Sequence, residues 1–307
     1  MSYQFTAGQA GNHDPSQPYW FSYGSGTNDL YWSAWCSRRD IDPSCVIPVG
    51  KALLPDMQLA FHYFSGTWDG GALNVVPHRG GVVEGVLCRV TAEGWRALDI
   101  KEGVAAGCYE RKLRHAILGD GTVIDVITHE VCLEMREEFV APAPNYLEVC
   151  RNGFEANGFN VGSLMTAAEG GYDGALRDLF VYGTLMEGGS NHSLLEEHVK
   201  QNGRAANVRG TLHDLCGYPG LTLIDGQDVH GQLFRLNDPA EALITLDQLE
   251  GAEFQGAPKG LYRRTILPVK DGDHVTLAWT YVMDGDLGDP VIAGGSWIRH
   301  LARGASP

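Results

Sequence analysis

The second half of the chain contains Leu179-Phe180-Val181-Tyr182-Gly183-Thr184-Leu185, an apolar and aromatic run that leads into a turn of small residues. The first half contains a run of the same kind, Trp20-Phe21-Ser22-Tyr23-Gly24-Ser25-Gly26. Aromatic and β-branched residues followed by glycine are typical of a strand that ends in a turn. The two runs therefore predict a strand and turn that occur twice.

Two further elements follow each run in the same order. Val82-Val83-Glu84-Gly85-Val86-Leu87 and Val229-His230-Gly231-Gln232-Leu233-Phe234 both place apolar residues around a central glycine, which predicts a strand. Leu98-Asp99-Ile100-Lys101-Glu102-Gly103 and Leu246-Asp247-Gln248-Leu249-Glu250-Gly251 both follow a short helical stretch, and a tyrosine that opens another strand comes after each. One match could arise by chance, but three in order indicate an internal duplication.

The duplication predicts two domains in a chain of 307 residues. We expect an N-terminal extension at 1–18, a first domain at 19–160, a Gly-rich linker at 161–176 with the boundary near 173, and a second domain at 177–307. Each half contains about six short β runs and few helical ones. This pattern favours an α+β fold, with two tandem small mixed β-barrels, largely antiparallel and flanked by short helices.

Composition and charge argue against several classes of protein. The chain has 44% hydrophobic and 20% charged residues, as in an ordinary globular protein, and a net charge of −15 that would repel nucleic acid. It shows neither a membrane-spanning stretch nor the order of a signal peptide, so we expect a cytoplasmic protein without a membrane partner. The seven cysteines form no CxxC pair and the 11 histidines no HExxH motif, which predicts reduced thiols and no metal site.

Both halves resemble the γ-glutamylcyclotransferase superfamily. The first half is similar to γ-glutamylcyclotransferases at 21–25, 70–77, 83–87, 98–104 and 142–146. The second half is similar to the AIG2-like, γ-glutamylamine cyclotransferase branch at 181–185, 191–192, 246–251, 262–264 and 279–281. The resemblance implies a reaction without a cofactor. In that reaction the α-amine of a γ-glutamyl amide attacks its own γ-carbonyl, forms 5-oxoproline and releases an amine or amino acid.

Glu102 and Glu250 are the candidate catalytic residues, each as a general acid/base. Ring closure within the substrate needs no protein nucleophile, but it needs a group that moves protons, and a partly desolvated carboxylate can do this near neutral pH. In each hexapeptide a leucine four residues earlier shares the helical face of the glutamate, and the following glycine ends the helix. We therefore expect both carboxylates at helix ends, facing inward. Asp99 and Asp247 are expected to cap the helices or to lie at the surface.

The small-residue turns are the candidate sites for the α-carboxylate of the glutamyl group, because consecutive backbone N–H groups can form an anion nest. For Tyr23, Tyr146 and Tyr182 a role in the core is equally consistent with the sequence, although the resemblance places Tyr146 at the border of the first pocket. The expected substrate-binding residues are Tyr23, Gly24, Ser25, Gly26 and Tyr146 in the first half and Tyr182, Gly183, Thr184 and Leu185 in the second.

Two departures from the family pattern bear on specificity. Family members usually carry Asn directly after Tyr-Gly-Ser, whereas Gly26 stands there in this chain and Asn28 is displaced by two positions. An insertion at 252–260 is expected to change the loop that faces the leaving group. A γ-glutamyl hydrolase or transferase, or a ligand-binding protein with one or both domains inactive, are the alternatives. The leaving group, the active half and the oligomeric state stay open.

Overall fold

The computed structural model describes residues 18–172, 174–254, 260–285 and 290–304. Apart from Pro18, the expected N-terminal extension lies outside these residues. Within them the chain divides into two compact units. The N-terminal unit comprises the described residues of 18–118 and 124–174, and the C-terminal unit comprises 119–123 and the described residues from 175 onward.

The N-terminal unit is built on a closed barrel of five strands: β1 (Tyr19–Ser22), β2 (Val46–Ser65), β3 (Gly70–Val90), β4 (Tyr109–Ile117) and β5 (Val123–Val131). Their order around the barrel is β1-β3-β2-β4-β5, and parallel pairing of β5 with β1 closes it. The unit also contains the helices α1 (Asp29–Ser37), α2 (Ala92–Lys101), α3 (Pro144–Asn157) and α4 (Val161–Ala168).

The C-terminal unit is built on a second closed barrel: β6 (Asp178–Val181), β7 (Arg204–Asp214), β8 (Pro219–Arg235), β9 (Arg263–Asp271) and β10 (His274–Val282). The order β6-β8-β7-β9-β10 repeats that of the first barrel strand for strand, and parallel pairing of β10 with β6 closes it. Its helices are α5 (His192–Glu196), α6 (Pro239–Glu250) and α7 (Trp297–Gly304). The prediction of an α+β fold with two mixed barrels is confirmed.

The strands are fewer and longer than the sequence indicated. Each barrel has five strands where about six short runs were expected, and β2 and β3 have 20 and 21 residues. Register shifts interrupt the pairing of β2 with β3 between Pro48 and Gly50, between Pro55 and Met57, and between Phe61 and Phe64. Bulges of this kind bend a strand without ending it, so one continuous strand takes the place of two of the short β runs expected from the sequence.

Part of the expected linker is a helix. Residues Val161–Ala168 form α4, which begins where Asn160 Oδ1 accepts a hydrogen bond from the Gly162 N–H at 2.9 Å. Leu164 and Ala167 lie on one face of α4 and are buried in the core of the N-terminal unit. The small apolar residues of this stretch therefore pack as a helix, and the division between the units falls after Gly174.

The central glycines of β3 and β8 make room for an aromatic ring on the neighbouring strand. A Cβ atom at Gly85 would lie 2.3 Å from the ring of Phe21, and one at Gly231 would lie 2.7 Å from the ring of Phe180 and 2.1 Å from the Val181 carbonyl oxygen. Phe21 and Phe180 are both fully buried core residues. The two matched glycines are thus explained by the same close approach in each barrel.

All seven cysteines carry free thiols, and Cys36, Cys45, Cys88 and Cys150 are buried. Among the helices of the described ranges, none combines the length and the apolar character that crossing a membrane requires.

Candidate active site

Helix α6 carries Glu250 to the wall of a cavity in the C-terminal unit. The helix begins at Pro239, where Asp238 Oδ1 accepts a hydrogen bond from the Ala240 N–H at 2.9 Å. Leu243 and Leu246 anchor one face of it in the core with no exposed surface. It ends at Glu250 because Gly251 adopts the left-handed conformation, with φ at 66°. The predicted position of this carboxylate at a helix end is confirmed.

The cavity has a volume of about 390 Å³. The turn that follows β6 forms one part of its wall, and Glu250 forms another. All five predicted site residues of the second half line it, namely Tyr182, Gly183, Thr184, Leu185 and Glu250. The fold therefore brings together two segments that lie far apart in the sequence.

Burial raises the pKa of Glu250 to about 7 from an ordinary value of 4.5. The cause is desolvation, because the ionised carboxylate loses water without gaining a compensating charge. Of the described residues that line the cavity, Glu250 is the one with a carboxyl group. A carboxyl group in this state exchanges a proton readily near pH 7.

Three buried tyrosines form a fixed wall around the carboxylate. The Tyr182 hydroxyl donates to the Tyr281 carbonyl at 2.8 Å, and the Tyr262 hydroxyl donates to the Pro219 carbonyl at 2.7 Å. The Tyr281 hydroxyl donates to Asp247 Oδ1 at 2.9 Å. Desolvation raises the pKa of Tyr182 and of Tyr281 well above the ordinary value. These hydroxyls stay neutral, so proton exchange near neutral pH is left to Glu250.

Asp247 has neither a capping nor a surface role, contrary to the expectation from the sequence. Its side chain is 6% exposed, and Oδ1 lies 3.0 Å from Nε of Arg264, whose side chain is 1% exposed. Because Asp247 lies about one turn before Glu250 on α6, this buried ion pair fixes the end of the helix that carries the carboxylate. The matched Asp99 pairs with Arg111 at 2.6 Å and is more exposed, at 33%.

Asn191 holds the turn after β6 in place. Its backbone N–H donates to the Thr184 carbonyl at 3.0 Å, and its side-chain amide donates to Thr184 Oγ1 at 3.1 Å. The next residue, His192, contacts the Leu185 carbonyl through Nδ1 at 3.0 Å. Asn191 and His192, one of the segments that resemble the family, therefore both fix the turn that lines the cavity.

The corresponding cavity of the N-terminal unit is almost filled. The predicted residues Tyr23, Gly24, Ser25, Gly26, Glu102 and Tyr146 all line it, but its volume is only about 30 Å³. Lys101 fills the space: its Nζ lies 2.7 Å from Glu102 Oε1 and 3.1 Å from Ser25 Oγ, and its side chain is 7% exposed. A cavity of this size holds about one water molecule.

The first site also contains two of the predicted tyrosines, Tyr23 and Tyr146, but not Asn28. Tyr23 donates to the His129 carbonyl at 2.5 Å, and the Tyr146 hydroxyl accepts the Leu73 N–H at 3.1 Å; both tyrosines are buried core residues that also border the cavity. Asn28 does not reach the cavity. It caps α1, where its Oδ1 accepts the Tyr31 N–H at 3.0 Å.

The sequence interpretation missed Lys101 and the burial of Asp247. A signal for the lysine was present, because the matched hexapeptides place Lys101 opposite Leu249. The burial of Asp247 depends on Arg264, which a pattern within the hexapeptide cannot show. Residues 255–259 of the predicted insertion lie outside the described residues.

Fold and site together define the class: an α+β protein of closed five-stranded barrels, with a desolvated carboxylate in the cavity of the C-terminal unit. A family model described as Gamma-glutamyl cyclotransferase, AIG2-like, matches residues 179–299. The Gamma-L-glutamyl-butirosin B gamma-glutamyl cyclotransferase of Niallia circulans is 37% identical over 110 residues, which are 36% of this chain and 68% of that protein. The chain belongs to the AIG2-like γ-glutamyl cyclotransferase family.

Solved structures also show similarity. A gamma-glutamyl cyclotransferase structure is 23% identical and covers 49% of this chain and 85% of its own, with a TM-score of 0.43. YkqA from Bacillus subtilis is 25% identical and covers 48% of this chain and 51% of its own, with a TM-score of 0.41.

Proposed function

We propose that the C-terminal unit is a γ-glutamyl cyclotransferase that releases 5-oxoproline and a free amine, with Glu250 as its general acid/base. One observation carries this proposal: a carboxyl group whose pKa is raised to about 7 lies in the wall of a cavity of about 390 Å³. Membership of a cyclotransferase family supports it. Loss of water around a single carboxylate is costly, so such a group is a candidate for function.

The proposed reaction uses the carboxylate twice. The substrate α-amine, with a pKa near 8, is mostly protonated at neutral pH, and Glu250 takes one proton from it. The free amine attacks the γ-carbonyl carbon, so a new C–N bond closes the five-membered ring and a tetrahedral intermediate forms. Glu250 then returns the proton to the leaving nitrogen, the original amide C–N bond breaks and the carbonyl re-forms. The ring nitrogen passes its second proton to the released amine, which leaves as an ammonium ion, so 5-oxoproline forms as a neutral lactam.

The turn residues Gly183, Thr184 and Leu185 would hold the α-carboxylate of the glutamyl group. Backbone N–H groups of a turn suit an anion, and Asn191 fixes this turn. A glutamyl chain held at its α-carboxylate has fewer conformations to search before its amine meets its own γ-carbonyl. Orientation of this kind supplies a large share of the rate in intramolecular reactions.

We propose further that the N-terminal unit, a cyclotransferase-like barrel by its strand order, does not turn over this substrate. Its carboxylate Glu102 already holds the ammonium of Lys101, and its cavity of about 30 Å³ has no room for a glutamyl group. Lys101 thus takes the place beside the carboxylate that the substrate α-ammonium would need.

The test is release of 5-oxoproline, measured by mass spectrometry over a panel of γ-glutamyl amines and dipeptides. Wild type is expected to form product, Glu250→Gln to lose activity by about 100-fold or more, and Glu102→Gln, the matched control, to retain it. Absence of 5-oxoproline from every substrate would reject the cyclotransferase proposal. Release of glutamate instead would indicate hydrolysis, and a new γ-glutamyl amide would indicate transfer.

A further inference from the structure

We propose that the N-terminal barrel contains a latent cyclotransferase site, which the side chain of Lys101 keeps closed and which Lys101→Leu opens. This inference rests on the proposed function and extends it to the first barrel. It comes from the contacts that the two sites share, from buried polar atoms around the first cavity, and from the position of the lysine ammonium.

The two sites are built on the same pair of tyrosine contacts. In each site one tyrosine directly after the first strand of the barrel and one at the start of the fourth donate from their hydroxyls to backbone carbonyls on corresponding strands. The contacts are Tyr23 to His129 at 2.5 Å and Tyr109 to Leu73 at 2.9 Å in the first site, and Tyr182 to Tyr281 at 2.8 Å and Tyr262 to Pro219 at 2.7 Å in the second. The first barrel therefore keeps the wall that surrounds the carboxylate in the second.

The aspartate that precedes each glutamate is also held in the same way. Each aspartate lies between an arginine of the fourth strand and a side chain of the fifth: Asp99 between Arg111 at 2.6 Å and His129 at 3.3 Å, and Asp247 between Arg264 at 3.0 Å and Tyr281 at 2.9 Å. The end of α2 that carries Glu102 is thus fixed to its barrel by the same contacts as the end of α6 that carries Glu250.

The first cavity is lined by buried polar atoms that point to a ligand. Trp20 Nε1, Ser22 Oγ and His129 Nδ1 belong to residues that line it, and these three atoms have no hydrogen-bond partner among the described residues. The three residues are 4%, 2% and 3% exposed. A buried polar atom without a partner costs free energy, so three of them around one small space are unusual for a core. The lining therefore fits a polar binding site.

Lys101 occupies the place of the substrate ammonium in this site. Its Nζ lies 2.7 Å from Glu102 Oε1, 3.1 Å from Ser25 Oγ and 5.9 Å from the centre of the Tyr31 ring. The matched residue in the second site is Leu249, whose side chain ends at Cδ, two atoms short of a lysine Nζ. The exchange of lysine for leucine therefore removes the atoms that contact the carboxylate.

The exchange also gives Glu102 the surroundings of Glu250. Its side chain is 16% exposed, and without Lys101 the charge beside it would be that of a bound substrate ammonium. Glu250 shows that this fold accommodates a desolvated carboxylate at the end of the matched helix. We therefore expect the first site to act on a γ-glutamyl amide by the same reaction, with Glu102 as its general acid/base.

The test measures 5-oxoproline release in a protein whose second site is inactive. Glu250→Gln combined with Lys101→Leu is expected to exceed the residual rate of Glu250→Gln alone by about 10-fold or more, and addition of Glu102→Gln should remove the gain. Lys112→Leu in the Glu250→Gln protein is the control, because Lys112 lies on the same barrel, has a side chain 37% exposed and does not line the cavity. It should give no gain.

The reverse exchange tests the same reasoning in the second site and leaves the first barrel unchanged. Leu249→Lys places an ammonium beside Glu250 and is expected to reduce 5-oxoproline release by about 100-fold or more. Ile244→Lys is the control, because Ile244 is 57% exposed on α6 and does not line the cavity. Its rate should equal that of wild type.

The outcomes separate the inference from the proposed function. If wild type releases 5-oxoproline but Lys101→Leu brings no gain to a folded Glu250→Gln protein, or Leu249→Lys keeps the wild-type rate, the latent site is wrong and the cyclotransferase stands. ¹⁹F NMR of 5-fluorotryptophan at Trp20 shows whether the first barrel of each variant is folded, and if Lys101→Leu unfolds it, Leu249→Lys decides. If wild type yields no 5-oxoproline from any substrate, the proposed function fails and this inference fails with it.

Discussion

Replacement of Glu250 by glutamine is expected to remove catalysis and yet to stabilise the C-terminal unit at high pH. The pKa of Glu250 is about 7 in the fold and 4.5 in its ordinary state. Between these values the unfolded chain releases the proton while the folded chain keeps it, so the free energy of unfolding of wild type falls as the pH rises. One pKa unit corresponds to about 1.4 kcal/mol, so the loss reaches about 3 kcal/mol above pH 7. Glutamine does not ionise and avoids this loss.

The same substitution in the first barrel is expected to have the opposite sign. Glu102→Gln would leave the buried ammonium of Lys101 without the carboxylate that now lies 2.7 Å away. Removal of one partner from a buried ion pair costs about 3–5 kcal/mol. Two matched positions would therefore respond differently to the same change, because only one of the carboxylates has a counter-ion.

The measurement follows each unit by a tryptophan of its own. Trp279 is buried in the second barrel and Trp20 in the first, so ¹⁹F NMR of protein labelled with 5-fluorotryptophan reports on both during denaturant unfolding. At about pH 8.5 the Trp279 transition of Glu250→Gln should lie about 3 kcal/mol above that of wild type, and at about pH 4 the two should coincide. Equal stability of the two proteins at both pH values would refute the reasoning from burial.

Further predictions concern pH, charge and the ion pair beneath the site. Below about pH 7, kcat/KM should decrease because protonated Glu250 cannot accept a proton; a profile flat from about pH 5 to 8 would contradict this. Leu249→Lys should lower the pKa of that carboxyl and reduce 5-oxoproline release by about 100-fold or more, with Ile244→Lys as the unaffected control. Asp247→Asn should reduce the free energy of unfolding by about 3 kcal/mol because it breaks a buried ion pair. Asp99→Asn, at a more exposed pair, should cost less than about 1 kcal/mol; denaturant unfolding measures both variants.

The sequence was sufficient for features that depend on local pattern. The glycine after each catalytic candidate ends its helix, and Gly103 and Gly251 both adopt φ values near 65°, at 65° and 66°. The central glycines Gly85 and Gly231 could be matched from the sequence because both positions have no room for a side chain beside a buried aromatic ring. Repetition of the pattern also indicated two barrels, although it did not show that bulges would join short runs into long strands.

What the sequence could not show depends on contacts between distant residues. In the sequence Lys101 is an ordinary lysine near a helix end, and only the fold shows that it contacts Glu102. Asp247 resembles an exposed helix residue in the sequence, and only the fold shows its ion pair with Arg264 of β9. Cavity volume depends on every side chain around it. For this reason the two halves were equally plausible as the active one from the sequence, whereas the structure separates a cavity of about 390 Å³ from one of about 30 Å³.

The parallel pairing that closes each barrel also has a consequence for folding. In the second barrel Leu179 pairs with Trp279, so about one hundred residues separate the first strand from the strand that closes the sheet. Pairing between distant segments raises contact order and slows folding, and during synthesis the early strand keeps an open edge until the late one leaves the ribosome. Because both barrels use the same strand order, the last strand of one barrel can pair wrongly with the open edge of the first strand of the other barrel. We therefore expect refolding from denaturant to be slower and more prone to misassembly than folding during translation. On the ribosome the first barrel is synthesised completely before the second begins.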